Sequence, residues 1–445
     1  MGDLCVTGIG AAPRVRQRPP TTFVEGAWMS DQPVVTDDPV VSSLLERARV
    51  GQAVAMAETT ALRTRLPFRY LRQQSHLTAP ANDLSLAEKA ITSAPRVAAR
   101  LLQRYGITEA DLAERLGVSA ADVQTALATA TPLVLLDLED GVPPPQVKEA
   151  RANAVQLFRE ADWGSSLRFF RPASLTEERC SEDITEVLMR SGEGIDPERY
   201  PIDGLVFPKV RHAHEITWLY GLLQEIEHEL GLPANRIRVI YQLETGWGLQ
   251  NLAHLALVGR DRLAGIVLGT VDLAADVLLP DVRFRHPICE WARHNIVTVA
   301  GAVGVPAIDG MTLDFPIGLP GLSAEDNREH VLSRMRENFV DATHSIETGM
   351  AGRWVGHPLQ LTATLLAFRA YFSADSLSQD IEVMQAFAEA LSGGEGAVAG
   401  ARGELLDIGT DRHIRSKLRR ATAWGLLPTE QALALGVISP HEVPG

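Results

Sequence analysis

The sequence predicts an α/β protein built as a closed (β/α)8 TIM barrel, with an N-terminal extension, a helical insertion after the first strand and a helical C-terminal segment. Three observations predict it. Eight short apolar runs alternate with helical patterns along residues 75–358. The runs are nearly continuous in Val, Ile, Leu and Phe, as parallel strands covered on both faces are. Polar residues of reactive type end run after run, as expected at the C-terminal rim of a barrel. An open doubly wound sheet would share the alternation, but no Gly-x-Gly-x-x-Gly follows the first run, which removes the dinucleotide-binding version.

Taken in chain order, residues 1–74 form the extension. Its first forty are rich in Pro, Gly, Thr and Asp and read as loosely ordered. Residues 41–66 then show helical apolar spacing. The strand runs follow: residues 75–80, 133–139, 166–172, 204–210, 238–244, 264–270, 305–311 and 353–358. The first two are separated by an insertion at about residues 95–130. Inside it, residues 107–127 pattern as two helices joined by a Gly turn, like a helix-turn-helix. The second of these carries Asp122 and no Lys or Arg, so it lacks the basic surface that DNA recognition needs. A helical insertion or an oligomer contact is the better reading. Residues 359–445 turn helical again, broken by a Gly-rich link at 393–403.

Composition narrows the function classes. The chain has 445 residues, 45% hydrophobic and 22% charged, with a formal net charge of −14. Such a chain has no bulk attraction for nucleic acid or an anionic membrane. The basic cluster Arg412, Arg415, Lys417, Arg419 and Arg420 reads as one face and the C-terminal end of a helix. Three scattered cysteines, Cys5, Cys180 and Cys289, show neither metal-ligand spacing nor a disulfide framework, which suits a reducing, cytoplasmic setting. No stretch approaches the roughly 20 apolar residues of a membrane span.

The strand ends carry the chemistry. The second run ends in Asp137, Glu139 and Asp140, the third in Arg171, the fourth in Lys209 and the fifth in Glu244. Asp272 follows the sixth, Asp309 lies in the seventh and His357 in the eighth. Carboxylates gathered on one rim repel unless a cation or protons neutralise them. Oxygen donors without cysteine favour a hard ion, Mg2+ or Mn2+. Glu244 and Asp272 lie one βα repeat apart and are candidate metal ligands; each could instead cap the helix that follows. Arg171 could grip a carboxylate or enolate oxygen, or pair with Glu139 or Asp140. Lys209 could form a Schiff base, or pair with an acid.

At these residues the chain resembles the family of the citrate lyase β-subunit, malyl-CoA lyase and citramalyl-CoA lyase. LDLED at 136–140, the Glu of QLETG, the Asp of GTVDLA and the GRWVGHPLQ stretch carry the likeness in this order. The resemblance implies a metal-dependent carbon–carbon lyase or aldolase acting through a metal-stabilised enolate of a small oxo-acid or an acyl-CoA. Carried over by position, Glu244 and Asp272 would ligate Mg2+. Arg171 would bind the keto-acid part, with Glu139 and Asp140 lining the site. Lys89, Arg72 and Asp309 are further candidate substrate-binding residues, Lys89 matching a family lysine in the first helix. The family's catalytic aspartate arrives from a neighbouring subunit's C-terminal segment; Asp407, after GEGAV, matches it. A homo-oligomer, a trimer or a multiple of trimers, is therefore implied. The chain departs from the pattern at Gln74, where members using coenzyme A carry an arginine, and at Pro80–Asn82, which puts the CoA thioester in doubt against a free oxo-acid. Two other readings stand beside this one. One is a free pyruvate-type class II aldolase with His357 moving the proton. The other is a non-catalytic regulatory barrel working through the helix-turn-helix-like insertion.

Overall fold

The computed structural model describes residues 39–64, 66–400 and 403–443. The chain divides into two compact units, residues 1–59 and 60–445. The described part of the first is helix α1 (Pro39–Ala61), whose apolar side chains Leu44, Val50 and Val54 are exposed. The sequence expected this helix over 41–66. The expectation for residues 1–38 lies outside the described residues.

The second unit is the barrel. Its strands are β1 (Ser75–Pro80), β2 (Leu133–Asp137), β3 (Leu167–Arg171), β4 (Gly204–Phe207), β5 (Arg238–Leu243), β6 (Leu263–Leu268), β7 (Ala307–Asp309) and β8 (Gly352–Val355). All neighbours pair in parallel, and β8 closes on β1. All eight runs predicted from sequence are strands. The period-two alternation of a strand sorts their side chains. Leu133, Leu135, Phe169, Val206, Ile240, Ile308 and Trp354 fill the interior. Leu77, Ala79, Val134, Leu136, Phe170 and Leu205 face the helices. At the rim this parity turns Asp137, Arg171 and Glu244 inward, since each lies an even number of residues beyond an interior position.

Between β1 and β2 lie α2 (Leu84–Thr92), α3 (Ala94–Arg104), α4 (Glu109–Leu116) and α5 (Ala120–Ala128). Gly117 takes the left-handed conformation that turns the chain out of α4, and Ser119 caps α5. The outer layer continues with α6 (Val147–Glu160), α7 (Cys180–Gly192), α8 (Ala213–Glu229), α9 (Gly246–Val258), α10 (Thr270–Asp276), α11 (Pro287–Val303), α12 (Ala324–Glu347) and α13 (Pro358–Tyr371). The insertion packs within the chain, against α12 and α13. Leu112, Leu116, Val123 and Ala126 are buried there. Arg115 pairs with Glu329 of α12 at 2.6 Å, and Asp122 of α5 with Arg369 at 3.3 Å. The helix that would have to read DNA is thus docked against the protein's own barrel.

The C-terminal segment is α14 (Ala374–Ser392), a two-stranded ribbon β9 (Val398–Ala399) and β10 (Leu405–Leu406), α15 (Ile408–Ala423) and α16 (Thr429–Ala434). The sequence reading began this segment at residue 359. In the structure α13 belongs to the barrel layer, with Leu359, Leu361, Leu365 and Leu366 in the main core, so the appendage starts at α14. Its own core joins Phe372, Leu377, Ile381, Ile414, Leu418 and Trp424 to Phe68, which lies before β1. The Trp424 indole donates to the Leu71 carbonyl at 3.0 Å, and Gln74 donates to the Trp424 carbonyl at 3.1 Å. Residues 68–74 therefore sit at the N-terminal mouth of the barrel, opposite the reactive rim. Among the described residues no helix is long and apolar enough to cross a membrane.

Candidate active site

Arg171 and Asp137 end adjacent strands in direct register. The guanidinium donates to both carboxylate oxygens, Nε to Oδ1 at 2.7 Å and Nη2 to Oδ2 at 2.8 Å. Asp137 also accepts the N–H groups of Glu139 and Gly141. Burial works to raise its pKa, but Arg171 and these donors outweigh it and hold the carboxyl below its ordinary range. The remaining Nη1 of Arg171 lies 2.9 Å from Glu139 and 3.3 Å from Asp140. The guanidinium also stands 5.4 Å from the centre of the Trp354 ring. The pairings left open in the sequence, with Glu139 and with Asp140, are both present. The bidentate one, with Asp137, was not anticipated.

Lys209 follows β4 with a positive φ of 53°, uncommon for a residue with a side chain. This bend aims its backbone N–H at Glu244 Oε1, 2.9 Å away. Its ammonium lies 2.9 Å from Glu139, 3.3 Å from Asp140 and 3.7 Å from Asp272. Burial pulls against its charge, yet the surrounding acids prevail and push its pKa above the ordinary lysine value. A lysine held so firmly charged is an ion-pair partner and not a Schiff-base nucleophile.

Glu244 is fully buried. Gln242 donates to its second oxygen at 2.5 Å. Gly269 makes room for it, since a Cβ there would lie 2.3 Å from Glu244 Oε2. Burial, then the charges of Glu139 and Asp272, push its pKa up to about 8. Burial first, with Asp140 adding to it, pushes Glu139 up to about 7 despite its two cationic neighbours. Neither Glu244 nor Asp272 caps its helix: Thr245 caps α9, and α10 starts after Gly269 with Asp272 in its first turn.

Among the described residues, five carboxylates (Asp137, Glu139, Asp140, Glu244, Asp272) thus converge with two cations, Arg171 and Lys209. That excess of negative charge is the electrostatic condition for a bound cation or retained protons. Among the described residues no group of three or more His, Cys, Asp or Glu is placed to cage a metal. Mg2+ commonly uses one or two carboxylates and keeps several waters, so a Glu244–Asp272 pair fits its habits without a full cage.

Other candidates lie elsewhere. Ile308 faces the interior, so Asp309 points outward, between strands and helices. It is wholly buried and accepts from Arg293 Nε at 2.9 Å, Ser345 at 2.6 Å and the Gly310 N–H at 2.8 Å. It is a structural ion pair, not a group free for substrate. Arg72 precedes β1 and donates to the Ser165 carbonyl at the N-terminal mouth, the wrong end for a substrate contact. Position 74 lies there too, so an arginine missing at Gln74 says nothing about CoA recognition at the rim. Lys89 is exposed on the last turn of α2, without a recorded contact to the acids. His357 caps α13 through Nδ1 and stacks near Phe315, and burial lowers its pKa to about 4. Asp407 caps α15, accepting from Thr410 N–H at 2.9 Å; that bond outweighs slight desolvation and lowers its pKa. Its recorded bonds within the chain do not reach the acid cluster.

Two residues at the rim went unnoticed in the sequence. Gln242 and Trp354 both face the interior by parity with Ile240 and with the β8 register, which is the signal that could have found them.

Residues 115–316 match the family model described as HpcH/HpaI aldolase/citrate lyase. Over those residues, which run from the insertion to beyond β7, the chain is similar to that family. The L-malyl-CoA/beta-methylmalyl-CoA lyase of Rhodobacter capsulatus is 26% identical over 326 residues, covering 69% of this chain and 90% of the relative. The mitochondrial citramalyl-CoA lyase of Homo sapiens is 27% identical over 298 residues, covering 65% and 78%. A citrate lyase structure from Burkholderia xenovorans superposes with a TM-score of 0.54 at 21% identity, covering 69% of this chain and 88% of that one, and supports the barrel fold. With relatives named lyases in a lyase family, the chain is an enzyme of the carbon–carbon lyase type.

Proposed function

We propose that the protein is a Mg2+-dependent lyase that cleaves or forms a carbon–carbon bond next to the carbonyl of a small oxo-acid or an acyl-CoA thioester. The observation that carries this reading is the rim itself: two buried glutamates, Glu139 and Glu244, beside Arg171 and Lys209 in a cluster short of positive charge. Glu244 and Asp272 would hold the ion. When bound, Mg2+ supplies a Lewis acid at a substrate oxygen.

The chain's own residues supply the rest. Asp137 orients Arg171 and leaves Nη1 as its usable edge. A substrate carboxylate that meets this edge takes the place now shared by Glu139 and Asp140. Lys209 stays charged and faces the same space, where negative charge develops as the bond breaks. Trp354 forms an apolar wall beside Arg171 that excludes water. The proton donor or acceptor is Asp407 of a neighbouring copy, in a homo-oligomer of trimeric type. The free aldolase with His357 as base is disfavoured, because that ring caps a helix and is held neutral. The regulatory-barrel reading is disfavoured by the insertion's packing on its own chain. Cys180 and Cys289 are buried free thiols, as suits a reducing cytoplasm.

The test is calorimetric titration with Mg2+ together with turnover of oxo-acids and acyl-CoAs. The reading expects EDTA-sensitive turnover, and Mg2+ binding that is lost in Glu244→Gln. Turnover indifferent to EDTA, or unchanged Mg2+ affinity in the variant, would overturn it.

A further inference from the structure

Barrels of this kind fill their interior with side chains in layers drawn from alternate strands. Phe169, Ile240 and Ile308 belong to one layer, on β3, β5 and β7. His76 completes it from β1, in register with the interior residues Leu133 and Trp354. The next layer up is Leu135, Val206, Val267 and Trp354, from the even strands. Two residues beyond His76, Phe169, Ile240 and Ile308 stand Thr78, Arg171, Gln242 and Gly310. By strand alternation they face inward too, and they form the layer next to the reactive rim.

Gly310 brings no side chain to that layer. The Thr270 hydroxyl stands where a Cβ at position 310 would lie. Gln242 and Thr78 flank this sector from β5 and β1, and Trp354 of β8 lies one layer down, between Gly310 and Thr78. Four polar atoms border it: Thr78 Oγ1, Thr270 Oγ1, Gln242 Oε1 and Trp354 Nε1. Each is buried, and none has a hydrogen-bond partner among the described residues. Gln242, Thr270 and Trp354 are only 4, 6 and 5% exposed, so bulk water does not pair them. Buried polar atoms cost free energy unless something bonds to them.

We propose that the sector beside Gly310 is a subsite for a hydroxyl group of the substrate, so that the enzyme takes a hydroxylated oxo-acid over its alkyl counterpart. This rests on the lyase reading above. Arg171, on β3, lies across the barrel axis from Gly310, after β7, with Thr78 and Gln242 on either side. A small oxo-acid held by its carboxylate at Arg171 extends its far carbon toward Gly310. The atoms there call for both a donor and an acceptor. Trp354 Nε1 donates only. Gln242 Oε1 accepts only, since the amide nitrogen of that side chain donates to Glu244. The two threonine hydroxyls do either. A hydroxyl matches this mixed set. A methyl leaves every member unpaired, and a carboxylate would meet the Gln242 oxygen acceptor to acceptor.

The experiment titrates the full chain, in the presence of Mg2+, with hydroxypyruvate and with pyruvate in a calorimeter. Hydroxypyruvate is expected to bind about tenfold tighter or more. Thr78→Val and Thr270→Val each remove a hydroxyl at nearly constant shape, and each lowers this affinity ratio by about fivefold or more. Thr78→Ser, which keeps the hydroxyl, retains the ratio. The ratio is the readout because a general loss of structure weakens both ligands alike. Melting curves establish that the variants are folded. Equal affinities in the wild type, or a ratio unchanged in both folded valine variants, overturn the subsite and leave the lyase reading standing. Binding of neither oxo-acid in the presence of Mg2+ overturns the oxo-acid part of the lyase reading, and the subsite with it.

Discussion

Asp137 and Arg171 face each other across adjacent strands and bond through two parallel N–H···O contacts, at 2.7 and 2.8 Å. Both are nearly buried. This pair fixes the guanidinium plane from below and leaves only its outer edge for chemistry. Asp137→Asn keeps the shape and removes the charge. Breaking one partner of a buried ion pair costs about 3–5 kcal/mol. Residual pairing of Arg171 with Glu139 and Asp140 places the expected loss near the lower end. Urea denaturation measures that loss, and kcat should fall more than KM rises as Arg171 swings toward Glu139. A variant as stable and as active as the wild type would refute the positioning role.

The raised pKa values of Glu139 and Glu244 make stability depend on pH. A carboxyl whose folded pKa exceeds its unfolded value holds its proton more tightly in the native state. That contribution is full below the unfolded pKa and is lost as pH rises through the folded one, here about 7 and about 8. Two buried histidines act in the opposite sense. His76 and His357 have pKa values lowered from 6.5 to about 3 and about 4 by burial, so what they contribute is lost as pH falls below 6.5. Between pH 6.5 and 8 the glutamates act alone among these four. The metal-free protein should therefore lose on the order of 2 kcal/mol over that window. Mg2+ competes with the protons and should shrink the loss. Melting curves with and without Mg2+ decide it; a flat metal-free profile refutes the cluster's electrostatics.

Asp309→Asn separates a structural aspartate from a substrate-binding one. Its carboxylate is saturated by Arg293, Ser345 and Gly310. The variant should lose about 3–5 kcal/mol of stability, with KM of the folded enzyme unchanged. A raised KM at unchanged stability would return Asp309 to the site.

How much of this was legible in the residues follows from strand geometry. Continuous apolar runs such as LVLL and GLVF announce parallel strands, and each of the eight was found. Chain direction, also legible, tells that Arg72 and Gln74 precede β1 and belong to the N-terminal mouth, yet matching by family position drew them toward the substrate. Asp309 needed one more fact, which face of β7 is inside. That strand has three residues, too few for its own alternation to show. Only the Ile308 side chain packed within the barrel decides it. Asp137 was visible as a strand end, but its exact partnering with Arg171 depends on the register between two strands, which no single run encodes.

Asp407 is where the remaining question of mechanism can be isolated. It caps α15 through the Thr410 N–H, so Asp407→Ala would confound a lost cap with a lost catalytic group. Asn caps a helix as well as Asp does. Asp407→Asn should therefore leave the melting temperature unchanged while lowering kcat by about 100-fold or more, the typical contribution of a general acid or base. If that aspartate serves a neighbouring copy, a protein carrying Arg171→Ala and one carrying Asp407→Asn, each inactive alone, form some intact sites when their subunits are mixed and exchanged. Recovered turnover in the mixture, absent from either parent, is the expected result. Full activity of Asp407→Asn alone would exclude the aspartate from proton transfer. Inactive parents that stay inactive after demonstrated subunit exchange would exclude its service in trans.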